Sequence, residues 1–211
     1  MSPNVSEDNQ LAISPTEDLM REHGVLKRIL LIYGEVKGLL KYENLCQQSF
    51  IYQLTIDTAQ IAAQFIENYH QKLEADYVFP EFLQEQRYVK LVHTLQEQHN
   101  AARELTKLIK HSARMQSPFD LYQLLSAYIH MYEPHSARED TVVFPAFRQL
   151  VSPKRLDQLG QRFEEIEEQN FGEHGFENIV KNIAQIEKDL GIYDLSQFTP
   201  SYKQTGFCFE I

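Results

Sequence analysis

Residues 70–82 read HQKLEADYVFPEF, and residues 135–147 read HSAREDTVVFPAF. Aligned, both segments follow the pattern H-x-x-x-E-x-x-x-x-F-P-x-F. Residues four apart lie on one face of an α-helix, so each segment presents an imidazole and a carboxylate to the same point. This mixed nitrogen and oxygen donor set suits a borderline metal cation. The repeat therefore predicts helices that carry a metal-binding face.

The neighbours of each His–Glu pair at helical spacing are mainly apolar. A carboxylate on a buried apolar face is costly unless a partner compensates its charge. A metal ion supplies that partner; the alternative is a hydrogen-bonded His–Glu pair without metal, and two matched copies favour the metal. The apolar neighbours are Ala63, Ile66, Leu73 and Tyr77 around His70, and Tyr128, Met131 and Val142 around His135.

Two further histidines precede these pairs, each by one predicted helix. His23 ends the segment LMREH and His99 ends the segment LQEQH, both with apolar residues at helical spacing. The chain thus divides into two helical hairpins, each with a lone histidine followed by a His-x-x-x-Glu pair. A hydrogen-bonded core histidine is the alternative at either position, and the matched placement favours a ligand.

Helix-start signals recur along the chain, whereas hairpin turns and sustained apolar–polar alternation are absent. Ser14 and Ser117 each precede a proline and, three positions on, an acidic residue; Ser152 also precedes a proline, and Asn44 is a weaker start. We predict an all-α protein with five helices, at 15–41, 46–84, 88–114, 119–150 and 153–190.

The short predicted connections favour antiparallel neighbours, so the first four helices are expected to form an up-down four-helix bundle. Three parts are predicted: a flexible N-terminus at 1–14, the bundle at 15–150, and a C-terminal helix with an irregular tail at 151–211, packed on the bundle. Each proline of the repeat is expected to kink or end its helix.

The composition excludes several classes of function. Asp and Glu outnumber Lys and Arg by 30 to 20, a formal net charge of -10, which argues against nucleic acid or an anionic membrane as partner. The sequence has no apolar run long enough to span a bilayer and no secretory signal. Cys46 and Cys208 form no disulfide or metal-binding pattern. A cytoplasmic location is expected.

Four histidines and two glutamates exceed the needs of one tetrahedral zinc ion. They suit two six-coordinate ions bridged by both carboxylates, with a solvent bridge and an open position on each ion. Iron in such a site would bind dioxygen or nitric oxide, although manganese or zinc could occupy it when iron is scarce. The six candidate metal ligands are His23, His70, Glu74, His99, His135 and Glu139.

Over about residues 17–150 the sequence resembles the hemerythrin-like (HHE) family, in particular its bacterial members with four His and two Glu ligands. The motifs that carry the resemblance are Glu22-His23, His70 to Pro80, His99, and His135 to Pro145. The resemblance implies a left-twisted four-helix bundle and a carboxylate-bridged non-haem di-iron centre on the same six ligands.

The chain departs from the oxygen-carrying hemerythrins at two positions. Those proteins have a fifth histidine where this chain has Arg103, which weakens the case for a simple oxygen carrier. They also take their last carboxylate from the position of Asp140. The first repeat has Ala75 at the equivalent position, so internal symmetry favours Glu139, and Asp140 remains the alternative.

The favoured function is binding of a diatomic ligand, dioxygen or nitric oxide, for sensing, storage or protection. The alternatives are a di-iron enzyme that reduces nitric oxide or peroxide, a repair protein that donates iron to damaged iron–sulfur clusters, and metal storage. Repair proteins of this type tend to carry an additional N-terminal domain with a cysteine, and no such domain is expected here. Whether the protein is an enzyme, and which redox partner it uses, stay open.

Other candidates have simpler interpretations. A ferritin-like site needs paired Glu-x-x-His motifs, and Glu67 with His70 forms the only one in the sequence. His130, close to Pro134, is interpreted as a surface or interface histidine. The segment 171–177, with two glycines around His174, is interpreted as a packing bend; the alternative is a closure that brings Glu173 or His174 to an access route.

Overall fold

The structure is a computed structural model that describes residues 13–41 and 48–200. Within those ranges all regular secondary structure is helical and no strand occurs, which confirms the predicted all-α class. The predicted helix start at Asn44, both cysteines and most of the tail lie outside the described residues. No helix in the described part of the chain is apolar enough over sufficient length to traverse a membrane.

Four long helices contain the repeat and its preceding histidines. Helix α1 is Pro15–Leu39 and α3 is Val89–Arg114. Helix α2 runs continuously over 48–84 and α4 over 118–150, each with stretches of wider π-helix between α-helical parts. The π-helical stretches are Ala62–His70 and Glu74–Val78 in α2, and Glu139–Val143 in α4.

The predicted single helix at 153–190 is wrong. The structure has α5 at Pro153–Phe171 and α6 at Gly175–Asp189. Gly172 and His174 between them have φ values of 75° and 62°. That left-handed region is incompatible with a continuing right-handed helix, and glycine reaches it without strain. A 3₁₀ turn follows at Leu195–Phe198.

Two of the predicted helix starts carry side-chain caps. Ser14 accepts a hydrogen bond from the Glu17 N–H while the Glu17 side chain accepts from the Ser14 N–H, a complete capping box. Ser152 accepts from the Arg155 N–H. Ser117 differs, because its hydroxyl donates to the Asp120 carboxylate at 2.7 Å and caps no backbone group.

The four long helices pack around one apolar core. Helix α1 contacts α2 and α4, and α3 also contacts α2 and α4. Helices α5 and α6 contact each other and α1, and α6 also contacts α2. Phe163 of α5 and Ile183 of α6 are fully buried in that packing, and Arg28 forms a two-point ion pair with Glu187 of α6. The long helices therefore enclose the positions that the repeat places on their inner faces.

Candidate metal centre

Each glutamate of the repeat begins a π-helical stretch. The Phe79 N–H bonds to the carbonyl of Glu74, and the Phe144 N–H bonds to that of Glu139, five residues back instead of four. A proline follows directly in both cases, and its missing N–H leaves the ordinary hydrogen-bond register unfilled. The widened turn keeps the helix continuous through Pro80 and Pro145, neither of which ends it.

The six candidate ligands lie together in two groups inside the four long helices. His23, His70 and Glu74 form one group; His99, His135 and Glu139 form the other. Within each group the possible donor atoms lie within 4.8 Å of one another. All six residues are buried, with exposed fractions between 0 and 3 %.

The two carboxylates lie between the groups. Glu74 Oε2 is 3.6 Å from His70 Nε2 and 3.3 Å from His99 Nε2. Glu139 Oε2 is 3.1 Å from His135 Nε2 and 3.4 Å from His23 Nε2. Each glutamate therefore contacts a histidine of both groups, which is the arrangement that a bridging carboxylate requires.

The polar atoms that face each other here have few hydrogen bonds. Within residues 13–41 and 48–200, both carboxylate oxygens of Glu74 and of Glu139 are buried without a hydrogen-bond partner, and so is Nε2 of His23 and of His99. Leaving one such buried group unpaired costs about 1–3 kcal/mol, and more for an ion. A donor set of imidazole nitrogens and carboxylate oxygens fits metal ions, which would supply the missing partners.

Three side chains hold the outer nitrogens of the histidines, a role that the sequence analysis assigned to none of them. Asp140 Oδ1 lies 2.6 Å from His23 Nδ1, and Glu22 Oε2 lies 2.6 Å from His70 Nδ1. Gln98 Oε1 lies 2.8 Å from Nδ1 of the fourth-helix histidine, His135. When Nδ1–H donates to these oxygens, the Nε2 lone pair remains free for a cation.

The sequence contained a signal for two of these partners. Glu22 directly precedes His23, and Gln98 directly precedes His99. Glu22 bonds to His70 and Gln98 bonds to His135, which is in each case the histidine of the His–Glu pair on the following helix. The two contacts therefore follow the same internal symmetry as the candidate ligands. The symmetry does not extend to Asp140, because its equivalent, Ala75, has no side-chain acceptor.

Phenylalanines of the repeat cover the lone histidines. The Phe79 ring stacks on His99 with centroids 5.5 Å apart, and the Phe144 ring stacks on His23 at the same distance. Both phenylalanines are fully buried. These rings exclude water from the cluster and fix the planes of the imidazoles.

Burial and mutual charge shift the pKa values of the cluster. Burial lowers the pKa of His70 to about 4 and that of His99 to about 3. Burial, with the neighbouring charge of Glu139, raises the pKa of Glu74 to about 8. For His23, burial opposes protonation, but the hydrogen bond to Asp140 and the nearby negative charge of Glu139 outweigh it and raise the pKa to about 10. A bound cation would displace the protons that His23 and Glu74 hold at neutral pH, and it would compete with protonation of His70 and His99 at low pH. The affinity for the cation is therefore expected to fall as the pH falls.

The remaining sequence candidates do not join this cluster. His130 and His174 are exposed, and so are the two other histidines of the chain, His93 and His111. The Glu67 carboxylate accepts a hydrogen bond from the Thr106 hydroxyl. Arg103, at the place of the fifth histidine, donates to the Glu67 carbonyl at 3.2 Å. Of the two tyrosines beside the repeat, Tyr128 is fully buried and Tyr77 is partly exposed.

The protein is thus a helical bundle whose core contains buried histidine and glutamate side chains that could hold metal ions. The sequence matches the hemerythrin HHE cation binding domain over residues 14–147 and again over 90–190. The chain belongs to that family.

Similar proteins occur in mycobacteria. Uncharacterised proteins of Mycobacterium bovis and of two strains of Mycobacterium tuberculosis are 45 % identical to this chain over 205 residues. The similarity covers 94 % of this chain and 79 % of each relative. No solved structure matches the chain.

Proposed function

We propose that the cluster holds two iron ions and that the protein binds a small diatomic ligand, dioxygen or nitric oxide. His23 and His70 would ligate one ion, His99 and His135 the other, and both glutamates would bridge them. Bound iron would supply reversible redox chemistry and an open coordination position for the ligand. The observation that carries the proposal is the set of buried nitrogen and oxygen atoms that lack partners and face one another.

The proposed architecture is an antiparallel up-down bundle of α1 to α4, formed by residues 15–150, with residues 151–211 as an addition to it. The connections at 85–88 and 115–117 are short, which supports antiparallel neighbours. The ring of contacts from α1 through α2, α3 and α4 back to α1 is also consistent with this topology.

Glu139 is the proposed second bridging ligand, and Asp140 acts on His23 instead. The Asp140 carboxylate accepts from Nδ1 of His23, on the opposite edge of the ring from Nε2. Lys27 Nζ donates to the other Asp140 oxygen at 3.3 Å. The chain's own residues thus orient the imidazoles through Glu22, Gln98 and Asp140, and exclude water through the stacked phenylalanines.

We also propose that the protein is cytoplasmic. The proposed iron site is tested with protein purified from iron-replete cells. We expect about two irons per chain and, when the reduced protein meets air or nitric oxide, a new visible charge-transfer band. His99→Ala should lose iron and the band. His93→Ala, which changes an exposed histidine of the same helix, should keep both.

Absence of iron, or reoxidation without a transient band, would contradict the proposed function. Rapid multiple turnover of nitric oxide with a reductant would favour the enzymatic alternative over ligand binding. Iron well above two per chain would favour storage.

A further inference from the structure

A second group of acidic side chains lies between α1 and α5. Asp18 and Glu22 of α1 and Glu167 of α5 each contribute one oxygen, and the three oxygens lie within 4.8 Å of one another. Asp18 and Glu22 are 5 % and 0 % exposed, and the Glu167 side chain is 16 % exposed. We call these three residues the α1–α5 acidic cluster.

The positive charge near this cluster does not balance it. Arg21 Nη2 lies 3.1 Å from Asp18 Oδ1 and 3.9 Å from Glu167 Oε2. The Arg21 guanidinium also lies over the Phe176 ring, 4.1 Å from its centroid. Among the described residues, one arginine therefore pairs with this group of three carboxylates.

Two members of the cluster, Asp18 and Glu167, line a cavity of about 270 Å³ together with Arg21. Its lining adds the carboxylates of Glu164, Glu168 and Glu173 and the imidazole of His174. Such a lining concentrates cations from solution. The segment around His174 thus borders a cavity as well as forming the bend between α5 and α6.

An unpartnered buried atom in the cluster points separately to a ligand. Glu22 is fully buried, its Oε2 bonds to His70, and its Oε1 has no hydrogen-bond partner among the residues that the structure describes. The Tyr69 hydroxyl lies near Glu22 and is also buried, and it has no hydrogen-bond geometry to a partner in the described part of the chain. A cation beside Glu22 Oε1 would supply the missing interaction.

We propose that the α1–α5 acidic cluster binds one divalent cation and forms the route by which ferrous iron enters the protein. Three carboxylates and water form an all-oxygen ligand set, which hard divalent ions such as Mn²⁺ accept and Fe²⁺ tolerates. Glu22 touches both this cluster and His70, so an ion here is one side chain away from the first histidine group. The route, though not the cation site, rests on the proposed function.

The cation site is tested by titrating the metal-free full chain with Mn²⁺ while the signal of free Mn²⁺ is followed by electron paramagnetic resonance. The test variant carries both Asp18→Asn and Glu167→Gln, which remove two negative charges with little change in side-chain shape. The amide oxygen of the residue 167 glutamine side chain can still accept the hydrogen bond from the Phe176 N–H. The control is Glu165→Gln, an exposed carboxylate of α5 that pairs with Arg162. Circular dichroism checks that all variants fold.

We expect about three Mn²⁺ per chain for the unchanged protein and the control, and about two for the test variant. An equal number in the unchanged protein and the test variant, at equal affinity, would overturn the cation site. A third variant, His99→Ala with His135→Ala, separates this result from the proposed function: it should lose Mn²⁺ from the histidine cluster only. If that variant loses none, the proposed centre fails while the acidic cluster stands.

The route is tested by the rate at which Fe²⁺ loads the chain. The test variant should load at least about tenfold more slowly than the control and reach the same final iron count in the histidine cluster. Equal loading rates would overturn the route.

Discussion

Asp140 and Ala75 occupy the same place in the two copies of the repeat, directly after Glu139 and Glu74. Asp140 holds His23 Nδ1, whereas alanine offers nothing to His99. The partners of the other two histidines differ as well, a carboxylate from Glu22 and an amide from Gln98. The group of His23 and His70 is therefore surrounded by more negative charge than the group of His99 and His135. We expect the imidazoles of the former group to be the more basic candidate ligands.

Asp140→Ala should weaken metal binding by about 10–100-fold, because His23 loses the acceptor that fixes its ring and tautomer. The affinity is measured by competition with a chelator. Asp140→Asn, which keeps an acceptor oxygen, should recover part of the loss. Asp76→Ala, an exposed carboxylate paired with Lys72, is the control and should leave the affinity unchanged. Unchanged affinity in Asp140→Ala would show that the contact is dispensable.

Glu67→Gln should stabilise the metal-free protein at neutral pH. Burial raises the pKa of Glu67, so the folded chain holds the proton more tightly than the unfolded chain. The stability contribution is complete below the unfolded pKa and is lost as the pH rises through the folded value. Glutamine has no proton to lose and can still accept from Thr106.

The gain for Glu67→Gln is therefore expected at pH 8, on the order of 1 kcal/mol, and should vanish near pH 4. Urea unfolding at both pH values measures it, with exposed Glu97→Gln as the control. A gain that is equal at both pH values would exclude titration as the cause.

At the scale of helices, the repeat encodes a widened turn as well as the His–Glu pair on one helix face. The π-helical stretches Glu74–Val78 and Glu139–Val143 both end at a Phe-Pro pair. A fixed i, i+4 spacing predicted the common face of histidine and glutamate correctly. It did not predict the π turn, because a missing proline N–H can be accommodated by a kink, a break or a shifted register, and only the neighbouring helices select among them.

Pro145→Ala should restore a backbone donor after the π turn and allow the ordinary α-helical register. The Glu139 carboxylate would then shift, and we expect metal affinity to fall by roughly tenfold while helix content stays the same. Pro153→Ala is the control, since a proline at the first turn of α5 replaces a donor that has no helical partner. Chelator competition and circular dichroism measure the two quantities. If Pro145→Ala keeps the metal affinity of the unchanged protein, the π turn is not needed for metal binding.

At the scale of the whole molecule, all four long helices contribute to one cluster, so we expect binding of the proposed metal to be coupled to folding. Metal at about a thousand times its dissociation constant stabilises the folded state by about 4 kcal/mol. For a chain of this size that corresponds to a rise of roughly 10 °C in Tm.

Removal of the metal with a chelator should therefore lower Tm by that amount, as measured by calorimetry. His135→Ala should abolish the difference between metal-loaded and chelated protein, and exposed His130→Ala should preserve it. An identical Tm with and without metal would contradict the coupling.

The sequence by itself determined the helical class, most helix limits, and the residues that gather in the core, because helical periodicity and proline and serine positions are local properties. Tertiary structure decided which residues hold the outer nitrogens of the histidines, since Asp140 and His23 are 117 positions apart. It also decided that α5 and α6 separate at Gly172, and that α5 and residues 172–174 border an acidic cavity together with α1. Such contacts depend on how whole helices pack, and no local pattern records that packing.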